Sequence, residues 1–348
     1  MASSSTPPSM PTERGASERG ASERGGSERG ASRLLLVGLA ALAVVIAVGV
    51  MTYRDIGPLF NSEGCRAEVG DVVVELSTEQ AENATIIAAV GVRRGLPARA
   101  VSIALATAYQ ESKIENVEHG DRDSLGLFQQ RPSMGWGTEE QVKDPYYATN
   151  KFYDELVKID GYQEIRITEA AQQVQRSGFP EAYEDHAADA RALASALTGY
   201  SPAQFTCVAR HSGGDVAAED LAKNGLTPRA NDVRRDLARS FGDLALGGFA
   251  PGGVSTGHSA GSAHYEGHAI DVFVRPINEA NNRMGWALAH YLVAHADRLL
   301  VDTLIFDNRI WTAGSRSKDG WRDYDAGSGS GSQAILEHRD HVHVDVVE

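Results

Sequence analysis

SAHYEGHAIDVFV at 262–274 and DHVHVDVV at 340–347 are the stretches on which the reading of this 348-residue chain turns. In the first, His264 precedes Asp271 by seven residues, in the pattern Ser262-x-His264-x2-Gly267-x-Ala269-x-Asp271. In the second, Asp340 and His341 are followed by His343. Side chains alternate along a strand, so His341 and His343 share a face. Imidazole and carboxylate suit zinc, and three protein donors with one open position define a catalytic rather than a structural site. Taken singly, each of these residues reads as an ordinary surface or core residue. The set carries the signal.

The surrounding sequence, roughly 225–348, frames these stretches. A helix, ANDVRRDLARSFGD, is followed by a Gly-rich loop that contains His258. Short apolar runs at 269–274 and 301–306 flank a helical stretch, NEANNRMGWALAHYLVAHADRLL. This is an α+β pattern with a mainly antiparallel sheet. Trp311, Trp321 and Tyr324 either wall a groove or pack in the core.

The motif pair resembles that of the zinc peptidases that include D-Ala-D-Ala carboxypeptidases and L-Ala-D-Glu endopeptidases. The resemblance covers about 110 residues. It implies Zn2+ held by His264, Asp271 and His343, and Asp340 as the general base that activates water. Some members of that superfamily use the first His of a His-x-His pair, which makes His341 a rival or partner for the same role. Relatives place an Arg or Gln upstream to polarise the carbonyl, and here the loop holds His258 instead. His258, His268 and His338 are read as supporting or structural residues.

The preceding region, roughly 62–210, reads as helical. Ser77 and Gln80 form a capping-box pattern, Gly95 a helix stop and Pro97 a helix start. Val101, Leu105 and Ala108 form one stripe, and Glu111 ends it. A carboxylate emerging from an apolar wall keeps its proton and suits a general acid. Glu111-Ser112, then Gly126-Leu127-Phe128-Gln129, then Ala148, Tyr153 and Leu156 resemble the lysozyme-like fold of lytic transglycosylases. There the Glu protonates the bond between N-acetylmuramic acid and N-acetylglucosamine. The resemblance makes Glu111 catalytic and places Gly126, Leu127, Phe128, Gln129 and Tyr153 along the substrate. Phe128 stands where the family has Met, and Val174–Pro180 replaces its late aromatic motif. Asp121 and Asp123 are either second carboxylates or turn formers.

The first 33 residues repeat ERGAS or ERGGS and read as a disordered cytoplasmic tail. Residues 34–52 carry no charge and as a helix span about 28 Å, which suits a single membrane crossing. A cleaved signal peptide is the rival reading. Five Arg precede the segment, so the positive-inside rule places the globular part outside the cell membrane. In that compartment Cys65 and Cys207 are expected to form a disulfide. Net charge is −14, and the first 54 residues contribute +2, leaving −16 on the rest. Such an acidic surface argues against nucleic acid as a partner.

The expected architecture is therefore multidomain. An all-α lysozyme-like domain and an α+β zinc-peptidase-like domain follow one N-terminal transmembrane helix. Both resemblances point to peptidoglycan, one to its glycan and the other to its peptide. The expected function is a membrane-anchored cell-wall hydrolase with two active sites. The alternative is a wall-binding scaffold in which one or both folds are inactive.

Overall fold

In a computed structural model of the chain, residues 64–210, 219–327 and 332–348 are described. The expected tail at 1–33 and membrane helix at 34–52 lie outside them. Among the described residues, no helix is long and apolar enough to cross a membrane.

The chain enters this part of the fold as a strand pair. Gly64–Val69 (β1) and Val72–Leu76 (β2) bury Cys65, Ala67, Val74 and Leu76 and expose Arg66, Glu68, Val73 and Glu75. That is period-two alternation over a one-sided core. Helices follow: Thr78–Arg93 (α1), Ala98–Ser112 (α2), Glu139–Lys143 (α3), Pro145–Leu156 (α4), Ile167–Gln175 (α5) and Ala187–Leu197 (α6). The Ser77 hydroxyl accepts from the Gln80 amide while the Gln80 side chain accepts from the Ser77 amide, so the capping box closes and fixes the start of α1. Phe205–Val208 (β3) then returns to pair with β1 on its open side. Cys65 and Cys207 are directly opposite in that register and are disulfide-bonded.

This sheet corrects the expected fold class. The first region is not all-α, because it carries a three-stranded antiparallel sheet, β2-β1-β3. Its third strand lies far along the chain from the other two, so no local pattern announces it. The fold is mixed α/β throughout.

The second part opens with Pro228–Phe241 (α7), capped by the Thr227 hydroxyl on the Ala230 amide. Then come Leu246–Gly247 (β4), Ala269–Phe273 (β5), Glu279–Ala294 (α8), Ala296–Leu299 (α9) and Val301–Phe306 (β6). Arg309–Thr312 (β7), Arg322–Asp323 (β8), Gln333–Leu336 (α10) and His341–Val346 (β9) complete it. The strands form one antiparallel sheet in the order β4-β5-β9-β6-β7-β8. The last strand is thus inserted between β5 and β6, in a register that sets Asp271 opposite His343.

Helix α8 joins the two parts. It lies on β6 at Gly285, where an added Cβ would meet the Phe306 ring at 2.0 Å. It also packs on α1 and α6. A polar seam runs beside these contacts. The buried His290 donates from Nδ1 to the Ala196 carbonyl at 2.9 Å, and His295 Nε2 lies 3.2 Å from the Thr85 hydroxyl. Tyr291 donates to Asp236 at 2.6 Å, Arg298 binds the other oxygen of Asp236 at 2.9 Å, and Tyr146 reaches Ser240 at 2.9 Å. The described residues accordingly make one compact unit with a continuous core. Trp311 is fully buried, and Trp321 donates its indole N–H to the Phe205 carbonyl, so both serve the core rather than a groove.

Candidate functional site

The strand register creates a cluster of donors. His264 sits on a short 3-10 turn, Ala263–Glu266, that leads into β5, and Asp271 lies within β5 itself. His264 Nδ1 is 2.9 Å from the Gly248 carbonyl, which can only accept, so that nitrogen carries the proton. Its Nε2 is left with a lone pair. His343 Nε2 lies 2.7 Å from an Asp345 carboxylate oxygen, whose charge draws the proton of the neutral ring to Nε2 and leaves Nδ1 as its donor atom. The two bare nitrogens are 3.0 Å apart. Asp271 Oδ1 lies 3.2 Å from the first and 3.1 Å from the second.

Two lone pairs and a carboxylate at such distances repel unless a proton or cation lies among them. Donors bound tetrahedrally at about 2.0–2.1 Å from zinc are about 3.3 Å apart, so the triangle fits such an ion. The electrostatics agree. Burial opposes charge on His343, but Asp345 and Asp271 raise its pKa to about 10, so without a cation Nδ1 carries a proton in the place a metal would take. Burial likewise opposes charge on Asp271, yet the His264, His343 and His341 imidazoles around it hold its carboxyl far below the usual range. The cluster favours positive charge at its centre.

His258 also belongs to this cluster. His258, His264 and Asp271 each offer a donor atom within 4.8 Å of the others, and together they could hold a metal ion. The His258 ring stacks on His264, with centroids 3.9 Å apart. Sequence reading left His258 as a supporting residue, because a lone His in a Gly-rich loop carries no strand register. Gly248 and Asp345 were missed as well. A Cβ at Gly248 would lie 2.2 Å from the His264 ring, so only glycine fits there. Asp345 was legible in principle, since it continues the alternation of His341 and His343 on one face of β9.

Asp340 and His341 lie side by side at the edge of the cluster. Asp340 is buried, and both its oxygens are engaged, Oδ1 by His341 Nδ1 at 2.8 Å and Oδ2 by Arg275 Nε at 2.6 Å. Burial raises its pKa, but these two partners outweigh it and lower the value below the usual range. His341 faces the cluster, with Nε2 at 3.7 Å from Asp271 Oδ1. His338 lies alongside, ring to ring with His341 at 4.6 Å. Burial and the neighbouring imidazoles lower its pKa to about 4.

The Glu111 region is assembled in part. Ser112 donates to the Leu127 carbonyl at 2.8 Å, so the helix end and the Gly126–Gln129 turn do meet. Gly126 is required there, because a Cβ would lie 2.3 Å from the Val142 carbonyl. Half-buried Glu111 accepts from the Tyr183 hydroxyl at 2.6 Å. Burial and the Glu111 carboxylate raise the Tyr183 pKa, which keeps that hydroxyl a donor. Leu127, Phe128 and Tyr153, expected along a substrate, are instead fully buried. Phe128 stacks on Phe152 at 4.7 Å, and Tyr153 donates to the Ile87 carbonyl at 3.0 Å. Leu127 and Phe128 come from the Gly126–Gln129 turn and Tyr153 from α4, and no local pattern in the sequence says whether such positions face a cleft or a core. Gln129 does reach a surface cleft of about 830 Å³, shared with Trp136, Lys151, Gln175 and Arg176, but Glu111 does not line it. Asp123 accepts from the Ser133 amide and from Arg131 at 2.8 Å each, contacts that lower its pKa, so it ties a turn.

The fold and site together define a candidate metal-binding protein, with an antiparallel sheet presenting His and Asp donors from neighbouring strands and the loop beside them. Comparison with known proteins adds one name. A family model described as the VldE C-terminal domain matches residues 222–335. The match includes His258, His264 and Asp271 and ends before β9. No curated protein matches the chain.

Proposed function

We propose that the chain is a zinc-dependent hydrolase of peptidoglycan stem peptides, held at the outer face of a cell membrane by its 34–52 segment. The observation that carries this reading is the triangle of His264 Nε2, Asp271 Oδ1 and His343 Nδ1, with sides of 3.0–3.2 Å. Zinc, when bound there, supplies Lewis acidity toward an amide carbonyl. The chain's own residues do the rest. Gly248 and Asp345 hold the two imidazoles in the tautomers that expose their bare nitrogens. His341, facing the cluster through Nε2, takes the proton of the attacking water and returns it to the leaving amine. Asp340 holds the other ring nitrogen of His341, and Arg275 holds Asp340. The base is thus His341, with Asp340 as its positioning residue.

Glu111 supports a second activity on the glycan, as acid to the glycosidic oxygen with Tyr183 steadying its carboxyl. A second reading, that this part of the chain does not cleave glycan, is favoured by the burial of Leu127, Phe128 and Tyr153, which takes them out of reach of a substrate.

The test is mass spectrometry of purified peptidoglycan digested by the full-length chain, with and without zinc. Wild type is run beside Glu111→Gln, His341→Ala and His343→Ala. New peptide ends that need zinc and vanish in both His variants support the peptidase. Anhydro or reducing sugar ends lost only in Glu111→Gln support the second site. Zinc binding with no new peptide ends overturns the peptidase reading, and absent sugar ends support the second reading.

A further inference from the structure

His258 has no part in the chemistry above, yet it is built into the cluster. It is carried on the 249–262 loop rather than on the sheet. Its backbone is held by one side chain. The Tyr265 hydroxyl accepts from the His258 N–H at 3.1 Å and donates to the His258 carbonyl at 2.6 Å. Tyr265 directly follows His264, so the contact ties the loop to the ligand turn itself.

Glycines flank His258 on both sides. Gly257 and Gly261 have φ of +97° and +76°, and an added Cβ at either would meet nothing within 4 Å. Packing does not demand glycine at these positions, whereas backbone freedom does. The loop is therefore clamped at its middle and free on either side.

Donor arithmetic gives this arrangement a meaning. The sheet and its leading turn supply three donors: His264, Asp271 and His343. His258 would be the fourth, which is the number that closes a tetrahedral zinc site. A closed site retains its ion but offers no place to a substrate carbonyl or a water. In the present position the ring stacks on His264 at an interplanar angle of 27°, and one of its nitrogens already lies within 4.8 Å of donor atoms of His264 and Asp271.

We propose that His258 is a removable fourth protein ligand of the metal centre, latched by Tyr265, so that the 249–262 loop closes the site at rest and opens it when withdrawn. This rests on the metal-centre reading above. It identifies regulation by competition, in which an occupant bearing an amide carbonyl displaces the His258 imidazole.

The test uses the full-length chain in detergent, titrated with Co2+ and Zn2+, and compares wild type with His258→Ala and Tyr265→Phe. Wild type is expected to give the intense visible bands of four-coordinate Co2+. His258→Ala is expected to give weaker bands, as solvent raises the coordination number, with affinity lower by about 10- to 100-fold. Tyr265→Phe should fall between the two. An unchanged metal-free melting temperature in His258→Ala keeps loss of fold out of the comparison. Wild-type bands and affinity in His258→Ala overturn the proposal while leaving the three-donor centre intact, and a wild-type result for Tyr265→Phe removes the latch. Failure of wild type to bind either ion overturns this proposal and the metal-centre reading together.

Discussion

A single hydrogen atom at Gly248 decides how the candidate metal site is built. Its α-carbon faces the His264 ring so closely that a methyl would lie 2.5 Å from Nδ1, the nitrogen that donates to the same residue's carbonyl. The residue also sits at φ +79°, where L side chains are strained. Gly248→Ala should therefore rotate the His264 ring off its acceptor and weaken metal binding by about 10- to 100-fold, the effect of losing an outer hydrogen bond to a ligand. Competition against a chromophoric chelator reads this directly, and unchanged affinity would show that the ring has another way to be held. At this scale the sequence was partly legible. His264, Asp271 and His343 stood out because ligand chemistry restricts residue type and strand geometry restricts spacing. Gly248 and His258 did not, because nothing local separates a glycine that admits a ring from one that turns a loop. The partner of Tyr153 was not legible either, since its hydroxyl meets a backbone carbonyl on another helix that sequence alone does not place nearby.

At the scale of elements, α8 carries the most. One face rests on β6 through Gly285, and the others meet α1 and α6. Its imidazole at His290 is completely buried, and desolvation lowers the pKa to about 4. The unfolded chain binds that proton near pH 6.5, so the folded state is penalised as pH falls from about 6.5 toward 4. The stability lost at this residue between pH 7 and pH 5 is about 2 kcal/mol. His290→Asn keeps a donor for the Ala196 carbonyl and removes the titration. Its melting temperature should fall less than that of wild type across this pH interval, and parallel curves would show that His290 is not the group responsible. The helix was legible from its apolar periodicity, whereas its place between two sheets was not. A pattern apolar on several faces states that burial is extensive without naming what lies on each side.

For the whole molecule, the covalent bond between β1 and β3 matters most. Cys65 and Cys207 enclose a span with a sequence separation of 142 residues, which includes every helix from α1 to α6. Closing a loop of that length should stabilise the fold by roughly 2–5 kcal/mol. The Cys65→Ser, Cys207→Ser pair should show that loss by urea denaturation in non-reducing buffer, and reductant should have no further effect on the variant. A fragment ending near residue 210 should melt far below the intact chain even with its disulfide formed. The contacts of α1 and α6 with α8 would be exchanged for water, and Ala196 would lose its partner His290. Two motifs legible in sequence thus suggested two separable domains, because a motif records chemistry and not the shared core behind it.

That disulfide also decides how the molecule answers a mechanical load. A pull applied to the chain upstream of residue 64 reaches Cys65 within the first strand, and the sulfur bridge passes it straight to Cys207. The span between them, with its Glu111 helix end, then lies off the line of tension like a loop in a short-circuited wire. In a single-molecule stretching experiment the oxidised chain should lack roughly 50 nm of contour length, at about 3.5 Å per residue, and reductant should restore it. The load is then borne by the part of the chain downstream of Cys207, which holds α7 and the sheet that bears His264, Asp271 and His343.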